Sequence, residues 1–188
     1  MAAHTLHAGG WADRVLVAVA LVTVVGTDAA YMDLIRNQGS PGLPGDPAVL
    51  VPVFVAFYLV AVALLLALSL ASASPLMNAR PALRAAASGG LLAMGLAAAF
   101  SIGVPLLIAG MLAVAATILS LRARSTLRTW VSVAVAATIA LVVLAVGFQV
   151  SWNYIQCPAT GQSSGTTPGF FGASSYTCNG GRLTVASQ

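Results

Sequence analysis

The sequence predicts an all-α integral membrane protein, in which five transmembrane helices are followed by a small, disulfide-closed tail outside the cytoplasm. Three observations lead to this prediction. Of the 188 residues, 59% are hydrophobic and only 6% are charged, whereas soluble domains carry about 25% charged residues. Long apolar stretches recur along the chain, and the basic residues between them are all arginine. Both cysteines lie in a polar C-terminal segment.

The helical part, residues 1–152, divides into apolar segments separated by short polar connectors. A helix needs about 20 apolar residues to cross a hydrocarbon core of roughly 30 Å. The apolar stretch 85–121 is too long for one crossing, and Gly103 and Pro105 inside it predict a break. In the first outer connector, Asp46 and Pro47 predict the start of the second helix. The predicted spans are about residues 13–35, 48–73, 84–102, 104–121 and 130–152.

The arginines favour five crossings with a cytoplasmic N-terminus. Five spans place six arginines inside and two outside, whereas four spans divide the same residues four to four. Cytoplasmic connectors carry an excess of basic residues. The six inner arginines are Arg14, Arg80, Arg84, Arg122, Arg124 and Arg128. One alternative stays open for the first segment, because a cleaved signal peptide would leave four spans in the same orientation.

The predicted extracytoplasmic tail, residues 153–188, is rich in Gly, Ser and Thr and contains Cys157 and Cys178. Disulfides persist outside the cytosol, so we expect these two cysteines to be bridged. The bridge would close a loop of about 20 residues and contribute roughly 3 kcal/mol. Two unpaired thiols and a catalytic thiol pair are the alternatives, although no Cys-x-x-Cys spacing is present. The aromatic pair Phe170 and Phe171 is expected to pack beneath this loop.

Asp28 is the main candidate for an intramembrane polar site. The 13 residues from Val15 to Thr27 rise only about 20 Å as a helix, so Asp28 falls within the hydrocarbon. Its candidate partners are Tyr31 on the same helix and, from other spans, Ser101, Gln149 and Tyr58. Three interpretations stay open: a contact that fixes helix register, a site for a proton, cation or ligand, and a segment end near water. Nearer the helix end, Asp33 and Arg36 are expected to form a weak ion pair.

Small residues at every fourth position of the third span predict a flat face for helix packing. In lipid, helices associate through close backbone approach and van der Waals contact, which small residues permit. We therefore expect this helix to lie centrally in the bundle. The residues are Ala85, Gly89, Ala93, Ala97 and Ser101.

The residue inventory argues against several enzyme classes. The chain has no lysine, which excludes a phosphate-binding P-loop and a Schiff base. His4 and His7 lie in the N-terminal segment, away from any buried acid or serine, and no metal, cofactor or nucleic acid is expected. We therefore expect a non-enzymatic accessory or scaffolding subunit of a bacterial plasma membrane, bound to lipid and to another integral membrane protein or to itself. The alternative is a small transporter or channel component that uses Asp28.

Overall fold

Five helices and three strands make up the described part of the chain. The computed structural model describes residues 3–37, 51–71, 78–99, 101–122, 126–153, 157, 159–169 and 172–187. The helices are α1 (Ala3–Asn37), α2 (Val51–Leu70), α3 (Arg80–Ala97), α4 (Gly103–Arg122) and α5 (Leu127–Asn153). Five helices were predicted, and the predicted break within residues 85–121 lies between Ala97 and Gly103.

Four of these helices are long and apolar enough to cross a membrane, which indicates a membrane location. They comprise Trp11–Asn37, Val51–Leu70, Gly103–Arg122 and Leu127–Ser151. Helix α3 is not among them, because Arg80 and Arg84 in its first two turns make it less apolar than the other helices. A crossing by α3 therefore stays a prediction.

The chain divides into two compact units, and the first contains residues 1–31 and 58–144. Within it, α1 buries a narrow stripe of side chains at alternating spacings of four and three residues: Val17, Ala20, Val24 and Thr27. Helix α2 buries a stripe of the same kind: Leu59, Val62, Leu66 and Ser69. An average spacing of 3.5 residues is typical of helices that cross at a shallow angle, with side chains interlocking along a narrow line.

Helix α3 is buried on more than one side and forms a close antiparallel hairpin with α4. A methyl group at Gly95 of α3 would lie 2.8 Å from the Leu107 side chain, and one at Gly110 of α4 would lie 2.9 Å from the Leu92 side chain. Each glycine therefore leaves space in which a leucine side chain of the opposite helix packs. The buried residues of α3 are Pro81, Arg84, Ala85, Ala87, Ser88, Gly90, Leu91, Met94 and Gly95.

The predicted small-residue row of α3 follows the packed surface only in part. Ala85 is buried, Gly89 and Ala93 are half-buried, and Ala97 is exposed. Ser101 lies beyond the helix, exposed in the turn that leads to α4. The physical reason is geometric: residues four apart are offset by about 40° around a helix, so the row winds away from the neighbouring helix.

The second unit contains residues 32–57 and 145–188. Its helical part includes an edge-to-face contact between Phe54 of α2 and Phe148 of α5, with ring centroids 5.5 Å apart. Gly147 lies beneath the Phe54 ring, where a larger residue would collide with it.

The tail forms a three-stranded antiparallel sheet, which the all-α prediction did not include. Its strands are β1 (Gln162–Gly169), β2 (Gly172–Asn179) and β3 (Arg182–Ser187), in the order β1-β2-β3. The β2–β3 turn consists of Gly180 and Gly181, whose φ values are +53° and +79°. Two consecutive residues with positive φ form the tight hairpin turn that matches the twist of paired strands.

The predicted disulfide between Cys157 and Cys178 is confirmed. Their Cα atoms lie 5.4 Å apart, and Cys178 on the central strand is fully buried. The bridge fastens the segment after α5 to the middle of the sheet. The predicted helix start at Asp46 and Pro47, the pair Phe170 and Phe171, and the side chains of His4 and His7 lie outside the described part of the chain.

Candidate functional site

Asp28 places a carboxylate inside a helical segment apolar enough to span a membrane. The span Trp11–Asn37 has 27 residues, so Asp28 lies about one turn, or roughly 6 Å, from its midpoint. The side chain is half-buried, and its Oδ1 is buried without a hydrogen-bond partner in the described residues. One oxygen of this carboxylate is therefore without a hydrogen-bond partner in the described residues, and a role for Asp28 stays a prediction.

The polar groups nearest to Asp28 in sequence satisfy themselves on their own helix. The Thr27 hydroxyl donates to the Thr23 carbonyl at 2.8 Å, and the Thr23 hydroxyl donates to the Val19 carbonyl at 2.9 Å. Tyr31 is half-buried and lies about one turn further along the same helix. Of the predicted polar cluster, the structure therefore keeps Asp28 and Tyr31 together on α1.

Two of the three candidate partners from other helices, Ser101 and Gln149, lie in the α3–α4 turn and on α5, respectively. The Ser101 hydroxyl donates to the carbonyl of Ala98 at 3.2 Å in the exposed α3–α4 turn, so it is not a partner of Asp28 Oδ1. Gln149 is half-buried on α5 in the second unit.

The expected ion pair between Asp33 and Arg36 is not observed in the described residues. Instead, the Asn37 amide donates to Asp33 Oδ2 at 3.0 Å. Residues three and four apart are both neighbours on a helix face, and here the amide four residues along is the partner. All three side chains are exposed, so this contact contributes little to stability.

An ion pair between Asp13 of α1 and Arg84 of α3 was missed by the sequence analysis. Arg84 Nη1 lies 2.5 Å from Asp13 Oδ1, and the two side chains are only 2% and 19% exposed, respectively. Arg84 Nε also faces Ser69 Oγ of α2 at 3.4 Å. Arg84 was counted among the inner arginines, at the first residue of the predicted span 84–102, but α3 already begins at Arg80 and Arg84 is buried. The available signal was Asp13, an acid near the start of the first apolar segment.

Arg80, one turn before Arg84, binds the C-terminal end of α2. Its Nη2 donates to the Ala71 carbonyl at 2.6 Å, while its Nε is buried without a partner in the described residues. Carbonyl groups at a helix C-terminus have no partner within the helix, and a basic side chain there is electrostatically favourable. The two arginines thus attach α3 to both α1 and α2.

A tyrosine joins three helices of the first unit. Tyr58 of α2 donates its hydroxyl to the carbonyl of Ala140 on α5 at 3.0 Å. Its ring passes over Gly90 of α3, where an added methyl group would overlap the hydroxyl. On the adjacent side of α3, Gly89 faces Ala137 of α5, whose Cβ would lie 3.5 Å from a methyl group at Gly89.

The tail sheet has one apolar and one polar face. The strand register pairs Tyr176 with Val185 and Cys178 with Leu183, so these side chains share a face. On that face Leu183 is 40% exposed and Val185 is 57% exposed. The other face carries polar side chains and the charged Arg182: Thr177, Thr184, Asn179 and Arg182.

The described residues contain no group of three or more His, Cys, Asp or Glu side chains that is placed to hold a metal ion.

No protein-family model matches the chain, and comparisons with curated proteins and with solved structures found no match.

Proposed function

We propose that this chain is a non-enzymatic accessory or scaffolding subunit of a bacterial plasma membrane, which binds another integral membrane protein. In this proposal all five helices cross the membrane, the N-terminus is cytoplasmic and the tail sheet lies outside. The six-to-two distribution of arginines supports this orientation. The burial of α3 supports a crossing by this less apolar helix, because its neighbours shield it from lipid.

The apolar face of the tail sheet is the observation that carries the proposal. Outside the membrane, the exposed side chains of Leu183 and Val185 would face water beside Tyr176. Contiguous apolar surface in water is unfavourable and often marks a site of protein contact. The disulfide orders the sheet before a partner arrives, which lowers the entropic cost of binding. We assign this face to an apolar extracytoplasmic surface of the partner.

Two helices of the bundle offer additional contact surface. In the most apolar 18 residues of α1, only 17% of the residues are buried within the chain, and in those of α5 only 6% are buried. In a bilayer, a partner helix can replace lipid on such surfaces if its side chains interlock closely with them.

Purification from native membranes in a mild detergent tests the proposal. We expect a specific partner to co-purify with the wild-type chain and with a control variant of the polar face, Thr177→Ser/Thr184→Ser. The variant Leu183→Ser/Val185→Ser should lose most of the partner while keeping the disulfide and its helical content. Recovery of the wild-type chain with no partner above background would contradict the proposal, as would full partner recovery with the apolar-face variant.

A further inference from the structure

Helix α1 has an uncovered surface, here named the outer seam, opposite its buried stripe. Its residues again alternate in spacings of four and three, and all are exposed, including Val22 at 71% and Val25 at 51%. The outer seam consists of Trp11, Val15, Ala18, Val22, Val25 and Ala29. This spacing is the one that lets a second helix pack along α1 over several turns.

Asp28 lies between the buried stripe and the outer seam. It follows the buried Thr27 and precedes the exposed Ala29. In paired helices, positions that flank the packed line carry ion pairs between the helices. Asp28 is therefore placed to contact a charged side chain of a helix that covers the outer seam.

The Asp28 carboxylate lacks a cationic partner within the described chain. The only ion pair among the described residues joins Asp13 to Arg84, and the Asp28 Oδ1 has no hydrogen-bond partner there. Ionisable side chains within a membrane are costly and pair with groups of opposite charge. The described residues thus leave this carboxylate without a positive charge to balance it.

We propose that the outer seam of α1 binds a transmembrane helix of a partner protein, and that this helix carries an arginine or lysine at the depth of Asp28. The inference rests on the proposed function and adds the chemistry of the partner. Ala18 and Ala29 let the two backbones approach closely, and the ion pair fixes the register of the helices.

Charge complementarity favours a different protein over a second copy of this chain. Two copies inserted in the same orientation would pair their outer seams in parallel. Asp28 would then face Asp28 of the other copy, and like charges at short distance in a medium of low dielectric constant repel each other. A basic partner helix removes this repulsion and replaces it with attraction.

Synthetic transmembrane peptides provide a defined probe. Three peptides of about 20 residues, built from leucine and alanine, carry a single Arg, Gln or Glu one turn from the centre. Each is incorporated with the full-length protein into phosphatidylcholine vesicles, and association is measured by energy transfer between dyes on the protein and the peptide. Polar contacts between transmembrane helices predict that wild-type protein binds the Arg peptide about 5- to 30-fold more tightly than the Gln peptide.

Variants of Asp28 test whether this carboxylate causes the preference for the Arg peptide over the Gln peptide. The isosteric change Asp28→Asn should abolish the preference for the Arg peptide, and Asp28→Arg should create a preference for the Glu peptide. The control Asp33→Asn removes an exposed acid near the end of α1 and should leave the preference unchanged. Equal binding of the Arg and Gln peptides by wild-type protein would overturn the inference, as would a preference that survives Asp28→Asn.

Two further outcomes separate this inference from the proposed function and from transport. Recovery of a native partner with no basic residue in any transmembrane helix would overturn the ion pair while leaving the scaffolding function intact. The absence of a native partner, with the peptide preference present, would instead remove the scaffolding function. Loss of a wild-type cation flux in Asp28→Asn vesicles, without any peptide preference, would assign Asp28 to a solute and overturn the inference.

Discussion

Truncating Asp13 should destabilise the bundle more than replacing its partner, Arg84. The change Asp13→Ala leaves the Arg84 guanidinium buried, with 2% of its side chain exposed and, among the described residues, only the 3.4 Å contact to Ser69. The change Arg84→Met fills a similar volume with an apolar side chain. It leaves Asp13, which is 19% exposed and lies near the start of the apolar span, able to reach water.

The two costs follow from this difference in exposure. Removing one partner of a buried ion pair costs about 3–5 kcal/mol when the other charge stays buried. We expect Asp13→Ala to fall in this range and Arg84→Met to cost less than about 1.5 kcal/mol, as volume-conserving apolar replacements do. At about 2–4 °C per kcal/mol for a chain of this size, Asp13→Ala should lower the Tm by roughly 6–20 °C.

Thermal unfolding in mild detergent, followed by the loss of helical circular dichroism, measures these shifts. The double variant Asp13→Ala/Arg84→Met should unfold close to Arg84→Met alone, because the buried charge has been removed. Asp33→Asn, which changes an exposed acid, should stay within about 0.5 kcal/mol of the wild type. A Tm for Arg84→Met equal to or below that of Asp13→Ala would refute the reasoning.

The remaining predictions concern the packing of the helices and the tail. Tyr58→Phe should cost about 0.5–1.5 kcal/mol of unfolding free energy. Gly90→Ala should be less harmful in that background than in the wild type, because the hydroxyl it would strike is gone; a double-mutant cycle measures the coupling. Gly95→Ala should lower the Tm through a clash with α4, at a cost of about 1–3 kcal/mol. Gly26→Ala should raise the Tm. The added carbon has no neighbour within 4 Å outside the local helix backbone, and alanine loses less backbone entropy on folding than glycine, a difference of about 0.5–1 kcal/mol. Replacing both cysteines of the Cys157–Cys178 bridge with serine should lower the free energy of unfolding of the tail by about 3 kcal/mol. Proteolysis of the tail should become faster while the helical content stays the same. Unchanged proteolysis would show that the sheet does not depend on the bridge.

The candidate site was only partly predictable. Asp28 was identifiable because an acid within a long apolar stretch is unusual whichever side of the helix carries it. Ser101 was one of four candidate partners, and its hydroxyl instead donates to the Ala98 carbonyl within the turn. The Asp13–Arg84 pair was missed because both residues lie near the ends of apolar segments, where charged residues are ordinarily solvated.

The sheet in the tail was also missed, and for a different reason. Its strands are mostly Gly, Ser and Thr, and only Tyr176, Leu183 and Val185 mark an apolar face in their alternation. A pattern this weak does not distinguish strands from an irregular segment. The pairing of Tyr176 with Val185 across the hairpin and the disulfide between Cys157 and Cys178 supply the missing information, because both depend on contacts between strands or segments and not on the local pattern.

The sequence by itself determined the helical segments, the break before Gly103, the membrane location and the disulfide. Each depends on local quantities: the length of an apolar stretch, a residue that breaks a helix, or a count of cysteines. Only the tertiary structure decided that Arg84 turns inward to Asp13 and that Tyr58 reaches Ala140 across Gly90. The physical reason is that a membrane helix is apolar on nearly every side, so its sequence does not specify which side faces its neighbours. That rotation is fixed by side-chain packing and by the few polar groups that must find partners.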